Sequence, residues 1–236
     1  MERFPSEFEA LLSPEGREVL AGRHPACGVR LRERFYASSS WLDRDACDAA
    51  TALLARVFGP HMVLQGRQLP PANAATQPNH DALPKVGLMR VLLSSGIHEP
   101  LARALATECG LLPMLFSESY RAFCEALSGR RLEGPHTTQL FSYRRGDSAG
   151  PHTDHHPEEP RMVNGYTDVH VTFCTPGVRE QLIVYERDGY FSEQRSIAAT
   201  GTITAYRLPV WHYTTPLQAD SPDDVRWLLL GSFYDA

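Results

Sequence analysis

The chain has 236 residues, 42% of them hydrophobic, and a formal net charge of −5. A chain of this length can bury a core that stands without staples, and an acidic balance with scattered arginines offers a polyphosphate no basic patch, which argues against a nucleic-acid partner. Five cysteines with no C-x-x-C pair read as reduced thiols in a cytoplasmic protein and not as a disulfide framework.

The opening MERFPSEFEALLSPEG has no basic segment leading into an apolar run, and no apolar stretch approaches a membrane span, so the expectation is a soluble chain with no membrane partner. Ser13-Pro14-Glu15 is an N-cap followed by proline at the first helical position, opening a short helix to about Leu20. From Asp43 the run DACDAATALLARVF puts Ala46, Ala50, Leu53, Leu54 and Val57 on one face, and Gly59-Pro60 ends it. The stretch 66–84, GRQLPPANAATQPNHDALP, has no period and reads as a long loop that could cover a site. Glu99-Pro100 opens another helix closed by Gly110, and Ser117 to Leu127 is a further one closed by Ser128-Gly129.

Beyond about Gly134 the apolar period shortens to two, with segments near 137–145, 168–174, 181–187, 195–198, 201–207, 210–215 and 224–234. The expected architecture is mainly β with a helical N-terminal half: a single domain over 1–236, in which 1–133 is mostly helical support and 134–236 an antiparallel jelly roll.

The stretch GPHTDHH, 150–156, is dense in metal-ligating side chains. In an extended segment, residues two apart share a face, so His152 and Asp154 can converge on one ion while Thr153 points away. His212 in PVWHYTTPL is the candidate third ligand, and two imidazoles with one carboxylate form the facial set of non-haem Fe(II) oxygenases. The bland alternative is a polar turn, which the following HHPEEP suits; His156-Pro157-Glu158 is a competing H-x-E pair that its prolines disfavour in a strand. In DVRWLLLGSF, alternation groups Arg226 with Leu228 and Leu230, so a guanidinium shares an apolar face and requires an acceptor. That partner is either a neighbouring acid, Asp223 or Asp224, or the carboxylate of a bound ligand.

Taken together, LFSYRRGDSAGPHTDHH, then GTITAYRLPVWH, then an arginine 14 residues after His212 resemble the Fe(II)/2-oxoglutarate-dependent oxygenases, most closely the prolyl-4-hydroxylase-like branch. The resemblance covers about 134–236. It implies a double-stranded β-helix with helices packed on its larger sheet, iron held by His152, Asp154 and His212, and the remote carboxylate of 2-oxoglutarate held by Arg226. It also implies a cosubstrate hydrogen bond from Tyr143, for which a half-buried strand aromatic is the plain alternative. The implied cofactors are Fe(II), 2-oxoglutarate and O₂, with ascorbate as a reductant, and the implied activity is hydroxylation of a C–H bond with succinate and CO₂ as coproducts.

Asp154 fills the position that related halogenases leave open for chloride, and the continuation Arg226-Trp-Leu-Leu-Leu-Gly-Ser departs from the second-arginine pattern of nucleobase-repair relatives. A small-molecule substrate, an amino acid or a biosynthetic intermediate, is therefore favoured. His170, Thr172, Arg207 and Trp211 are its candidate contacts, each of which could equally be core or rim. The alternatives are a peptidyl hydroxylase of the same mechanism and a cupin-like metal protein that is not an oxygenase; the oligomeric state leaves no trace in the sequence.

Overall fold

The computed structural model describes residues 1–28, 35–68, 86–93, 100–135, 137–153 and 165–236. Among the described residues no helix is long and apolar enough to cross a membrane.

The helices begin where the sequence supplies caps. Ser13 accepts from the Gly16 N–H at 3.1 Å ahead of α1 (Pro14–Leu20), and Asp43 accepts from the Ala46 N–H at 3.0 Å ahead of α2 (Arg44–Phe58). After α3 (Pro100–Glu108), Gly110 at φ 83° turns the chain directly into α4 (Leu111–Leu115), an element the sequence reading lacks. Five residues are too few to show a period, and Pro113 is tolerated because a first-turn nitrogen has no intrahelical partner. Ser117 caps α5 (Glu118–Ser128), which ends at Gly129 with φ 67°.

Seven antiparallel strands form the larger sheet in the order β1 (Phe35–Ser38), β9 (Ile203–Leu208), β5 (Tyr166–Cys174), β12 (Val225–Phe233), β4 (Thr137–Arg144), β3 (Val86–Leu93), β2 (Val63–Gln68). A smaller sheet runs β10 (His212–Thr214), β7 (Leu182–Arg187), β8 (Tyr190–Ser196), and β6 (Val178–Glu180) pairs with β11 (Gln218–Ala219). Two corrections follow for the first half. It is not only helical, since β1, β2 and β3 extend the larger sheet from both ends. Gly66, Arg67 and Gln68, expected to open a loop, belong to β2, and the remainder of that stretch, 69–84, lies outside the described residues. Such strands are set by the edge they pair with more than by their own pattern, because strand preference depends on neighbours.

Alternation along β12 separates two interiors. Val225, Trp227, Leu229 and Phe233 join Val169, Val171, Phe173 and Leu140 in the core under the helices, with Leu53, Leu54, Phe123 and Leu127 opposite. Each such large side chain contributes about 1.5–3 kcal/mol on burial. Gly231 lies against Tyr120 of α5: a Cβ there would sit 2.9 Å from the Tyr120 hydroxyl, which donates to the Val169 carbonyl at 3.0 Å. On the other face, Leu228 and Leu230 pack with Phe141 and Tyr143, and Tyr166, Tyr206 and Leu208 meet Ile183 and Tyr185 of the smaller sheet. The space between the sheets is therefore walled by apolar side chains, and polar groups within it are exceptions to be explained.

Candidate functional site

Those exceptions cluster around two histidines and one arginine. His152 and His212 exchange both backbone hydrogen bonds, N–H to carbonyl at 2.9 Å each way. Directly opposed residues of an antiparallel pair share a face, so both imidazoles project to the same side, with ring centroids 4.3 Å apart and planes at 52°. Two imidazoles bound cis to one ion at about 2 Å have centroids roughly 4–5 Å apart, so the spacing suits a shared metal.

Each ring is also oriented by its own backbone. Nδ1 of His152 lies 2.6 Å from the Gly150 carbonyl, and Nδ1 of His212 lies 2.9 Å from the Val210 carbonyl. A carbonyl can only accept, so Nδ1 carries the proton in both rings and Nε2 presents the lone pair. This is the arrangement by which proteins fix the tautomer of ligating histidines. Asp154, the proposed third ligand, lies outside the described residues, and among the described residues no three His, Cys, Asp or Glu side chains converge.

Arg226 is 1% exposed. Its Nε donates to the Ile197 carbonyl at 2.9 Å, one terminal nitrogen to Gln181 Oε1 at 3.1 Å, and the other to Thr172 Oγ1 at 3.1 Å. Neither sequence-neighbouring acid reaches it: Asp224 accepts from Thr175 and the Ser221 N–H instead, and Asp223 is exposed. Among the described residues no carboxylate forms an ion pair with this guanidinium. Burial pushes its pKa down from the ordinary arginine value, against a smaller opposing influence from Tyr143 and Cys174, yet a guanidinium keeps its proton in a protein. Tyr143, its cross-strand partner, places its ring 5.2 Å from the guanidinium carbon, a separation at which the ring face attracts a cation.

β5 contributes a polar row to the same face. Asp168, His170 and Thr172 lie opposite Ser232, Leu230 and Leu228 of β12, while the intervening Val169, Val171 and Phe173 enter the helical core. His170 Nε2 is 3.1 Å from the Tyr206 hydroxyl and 3.9 Å from Asp168 Oδ2, and the Tyr206 ring stands 5.2 Å from that of His212. The row thus runs from Thr172 at Arg226, past His170, to Asp168, with Tyr206 bridging to the histidine pair.

Arg207, Trp211 and Thr172 complete the sequence candidates. Arg207 is out of phase with Tyr206 on β9; its guanidinium clamps Asp235 at 2.7 and 2.8 Å and bonds Thr167 and the Gly165 carbonyl. It ties the C-terminal segment to the end of β9. Trp211, half-buried, is one residue out of step with His212, and its carbonyl accepts from the Glu186 N–H at 2.8 Å. Thr172 is turned to Arg226 as an acceptor. Gln181, Tyr206 and Asp168 were missed. Alternation could have grouped Tyr206 with Thr204 and Leu208, whereas Gln181 sits between β6 and β7 with no period to reveal it.

No family profile matches the chain, and no curated protein sequence matches it. Solved structures do. It resembles the epimerase SnoN from nogalamycin biosynthesis, described as non-heme and alpha ketoglutarate dependent, at 16% identity and TM-score 0.58, over 95% of this chain and 84% of that one. It resembles a 2OG-Fe(II) oxygenase family oxidoreductase from Burkholderia pseudomallei at 14% identity and TM-score 0.56, over 93% and 90%. A prolyl hydroxylase from Trichoplax adhaerens, in complex with a peptide fragment of hypoxia inducible factor, matches at 12% identity and TM-score 0.52, over 93% and 89%. SnoN also has a structure in complex with Fe3+, alpha ketoglutarate and nogalamycin RO. The chain has the fold of the 2OG-Fe(II) oxygenases, prolyl hydroxylases among them.

Proposed function

We propose that this protein is an Fe(II)/2-oxoglutarate-dependent dioxygenase that hydroxylates an unactivated C–H bond of a small molecule, an amino acid or a biosynthetic intermediate, releasing succinate and CO₂. In this reading 1–236 is one domain, and the paired sheets are a double-stranded β-helix. The observation that carries it is Arg226. A guanidinium has five N–H donors. Three are spent on neutral acceptors. The two that remain, one on each terminal nitrogen, would serve the two oxygens of a single carboxylate. A zinc hydrolase or a non-catalytic cupin has no use for that socket; a keto diacid does.

His152 and His212 supply two nitrogen ligands, and Asp154, two residues from His152 in H-x-D, completes a set that suits non-haem iron. Fe(II) so held, with 2-oxoglutarate and O₂, supplies oxidative decarboxylation coupled to oxidation of a C–H bond. The chain's own residues do the rest. Arg226 anchors the remote carboxylate, Tyr143 covers the guanidinium and would hydrogen-bond the cosubstrate, and Phe141, Leu228 and Leu230 keep water from the pocket. His170, with Asp168 and Tyr206, offers the substrate a polar contact beyond the histidine pair. Asp154 keeps the halide position filled, which favours hydroxylation, and ascorbate would serve as reductant. A cytoplasmic setting fits the reduced cysteines.

The peptide-bound neighbour keeps a second substrate class in view. The test is O₂-dependent release of succinate from 2-oxoglutarate with Fe(II), screened over amino acids, biosynthetic intermediates and proline-containing peptides. Stimulation by a small molecule is the expected result; stimulation by peptides alone would transfer the activity to proteins, and hydrolysis supported by Zn²⁺ without 2-oxoglutarate would remove the oxygenase reading.

A further inference from the structure

We infer that Gln181 is a positioning residue for the cosubstrate, acting through Arg226; the inference rests on the reading of Arg226 as the carboxylate anchor. Gln181 is 0% exposed. Its amide nitrogen donates to the Thr215 carbonyl at 3.0 Å and to the Asp147 carbonyl at 3.3 Å. Both donors are thereby spent on groups that only accept, so the amide cannot turn over without setting its oxygen against two carbonyl oxygens. The oxygen is presented to Arg226, 3.1 Å away.

The two carbonyls belong to the segments that carry the histidines. Thr215 follows His212 on the chain that leaves β10, and Asp147 precedes His152 on the segment whose backbone bonds to His212. One side chain therefore ties both imidazole-bearing segments to the guanidinium. A ligand that chelates a metal at one end and reaches Arg226 at the other must match a set separation, and Gln181 holds that separation. Its neutrality matters equally. An anion in the same place would pair with Arg226 and compete with the cosubstrate's carboxylate.

The experiment compares two keto acids. The Fe(II)-loaded protein is titrated anaerobically with 2-oxoglutarate or with 2-oxobutyrate, which chelates a metal in the same way but has no second carboxylate to reach Arg226; binding is followed by the visible charge-transfer band. Gln181→Met keeps the length and removes all three hydrogen bonds. It should raise the Kd for 2-oxoglutarate roughly ten- to hundredfold, with 2-oxobutyrate and Fe(II) affinity unchanged. Gln181→Glu, close in shape, should weaken 2-oxoglutarate at least as much, again sparing 2-oxobutyrate, and it carries the test if the methionine variant does not fold. Equal loss of both keto acids, or no selective loss in either variant, overturns the positioning role. Absence of a band in the wild type with either acid is a separate result, which removes the functional reading and this inference with it.

Discussion

Arg226 and Tyr143 face each other across β12 and β4, the guanidinium carbon 5.2 Å from the ring centroid, at 1% and 3% exposure. Placing a permanent cation there, against partners that are all neutral among the described residues, costs desolvation that a core leucine would not. On the function proposed above, the cosubstrate's carboxylate would offset that cost.

Arg226→Met should therefore weaken 2-oxoglutarate by a factor on the order of 100 or more, since a lost charged bidentate contact is worth a few kcal/mol. Fe(II) affinity should hold. The melting temperature should move by only a few degrees, because removal of a desolvated charge offsets the three acceptors left without a donor. Titration calorimetry with each ligand checks this, and equal weakening of metal and keto acid would indicate a collapsed pocket instead.

Tyr143 divides into ring and hydroxyl. Tyr143→Phe keeps the ring over the guanidinium, so its effect on 2-oxoglutarate should stay within roughly tenfold, the worth of one hydrogen bond. Tyr143→Leu also removes the cation–π contact, about 0.5–2 kcal/mol, and should weaken binding further. Identical Kd values for the two variants would show that the ring face contributes nothing.

Arg207→Ala tests the clamp on Asp235. Its bonds to Asp235, Thr167 and the Gly165 carbonyl are partly screened, since Asp235 keeps a third of its side chain exposed. The expected loss is about 1–3 kcal/mol of stability, read by chemical denaturation, with 2-oxoglutarate affinity unchanged. A selective loss of substrate binding without loss of stability would return Arg207 to the site.

The buried thiols set an alkaline limit. Burial pushes Cys174 up from 9.0 to about 12, despite the opposing field of Arg226, and Cys47 to about 11. Between pH 9 and those values the unfolded thiol has lost its proton while the folded one keeps it, so the native state binds more protons and stability falls as pH rises. The slope is about 1.4 kcal/mol per pH unit for each thiol. Denaturation midpoints measured from pH 8 to 11 should show the decline, and Cys174→Ala should flatten it. Neither thiol should react with an alkylating reagent at pH 8 until the protein unfolds.

The sequence made some of this legible because certain signals are local. The cap at Ser13 and the helical spacing that starts at Asp43 and at Ser117 mark helix starts within a few residues, and alternation in VRWLLLGSF assigned Arg226 to the face it occupies. Alternation in VHVTF likewise turned His170 and Thr172 inward. What escaped depends on distant partners. The strands β1 to β3 are defined by the sheet edges they join, and Gln181 acquires its role only when Thr215, Asp147 and Arg226 meet around it. The bonds of Arg207 to Asp235, Thr167 and the Gly165 carbonyl likewise join residues distant in sequence.

The most direct test is spectroscopic. Anaerobic addition of Fe(II) and 2-oxoglutarate to the apoprotein should give the visible charge-transfer band of a chelated keto acid, absent in His152→Ala, Asp154→Ala and His212→Ala, and shifted to much higher 2-oxoglutarate in Arg226→Met. A wild-type protein without the band, or a band that persists when Asp154 and His212 are both replaced, would contradict the site assigned to these residues.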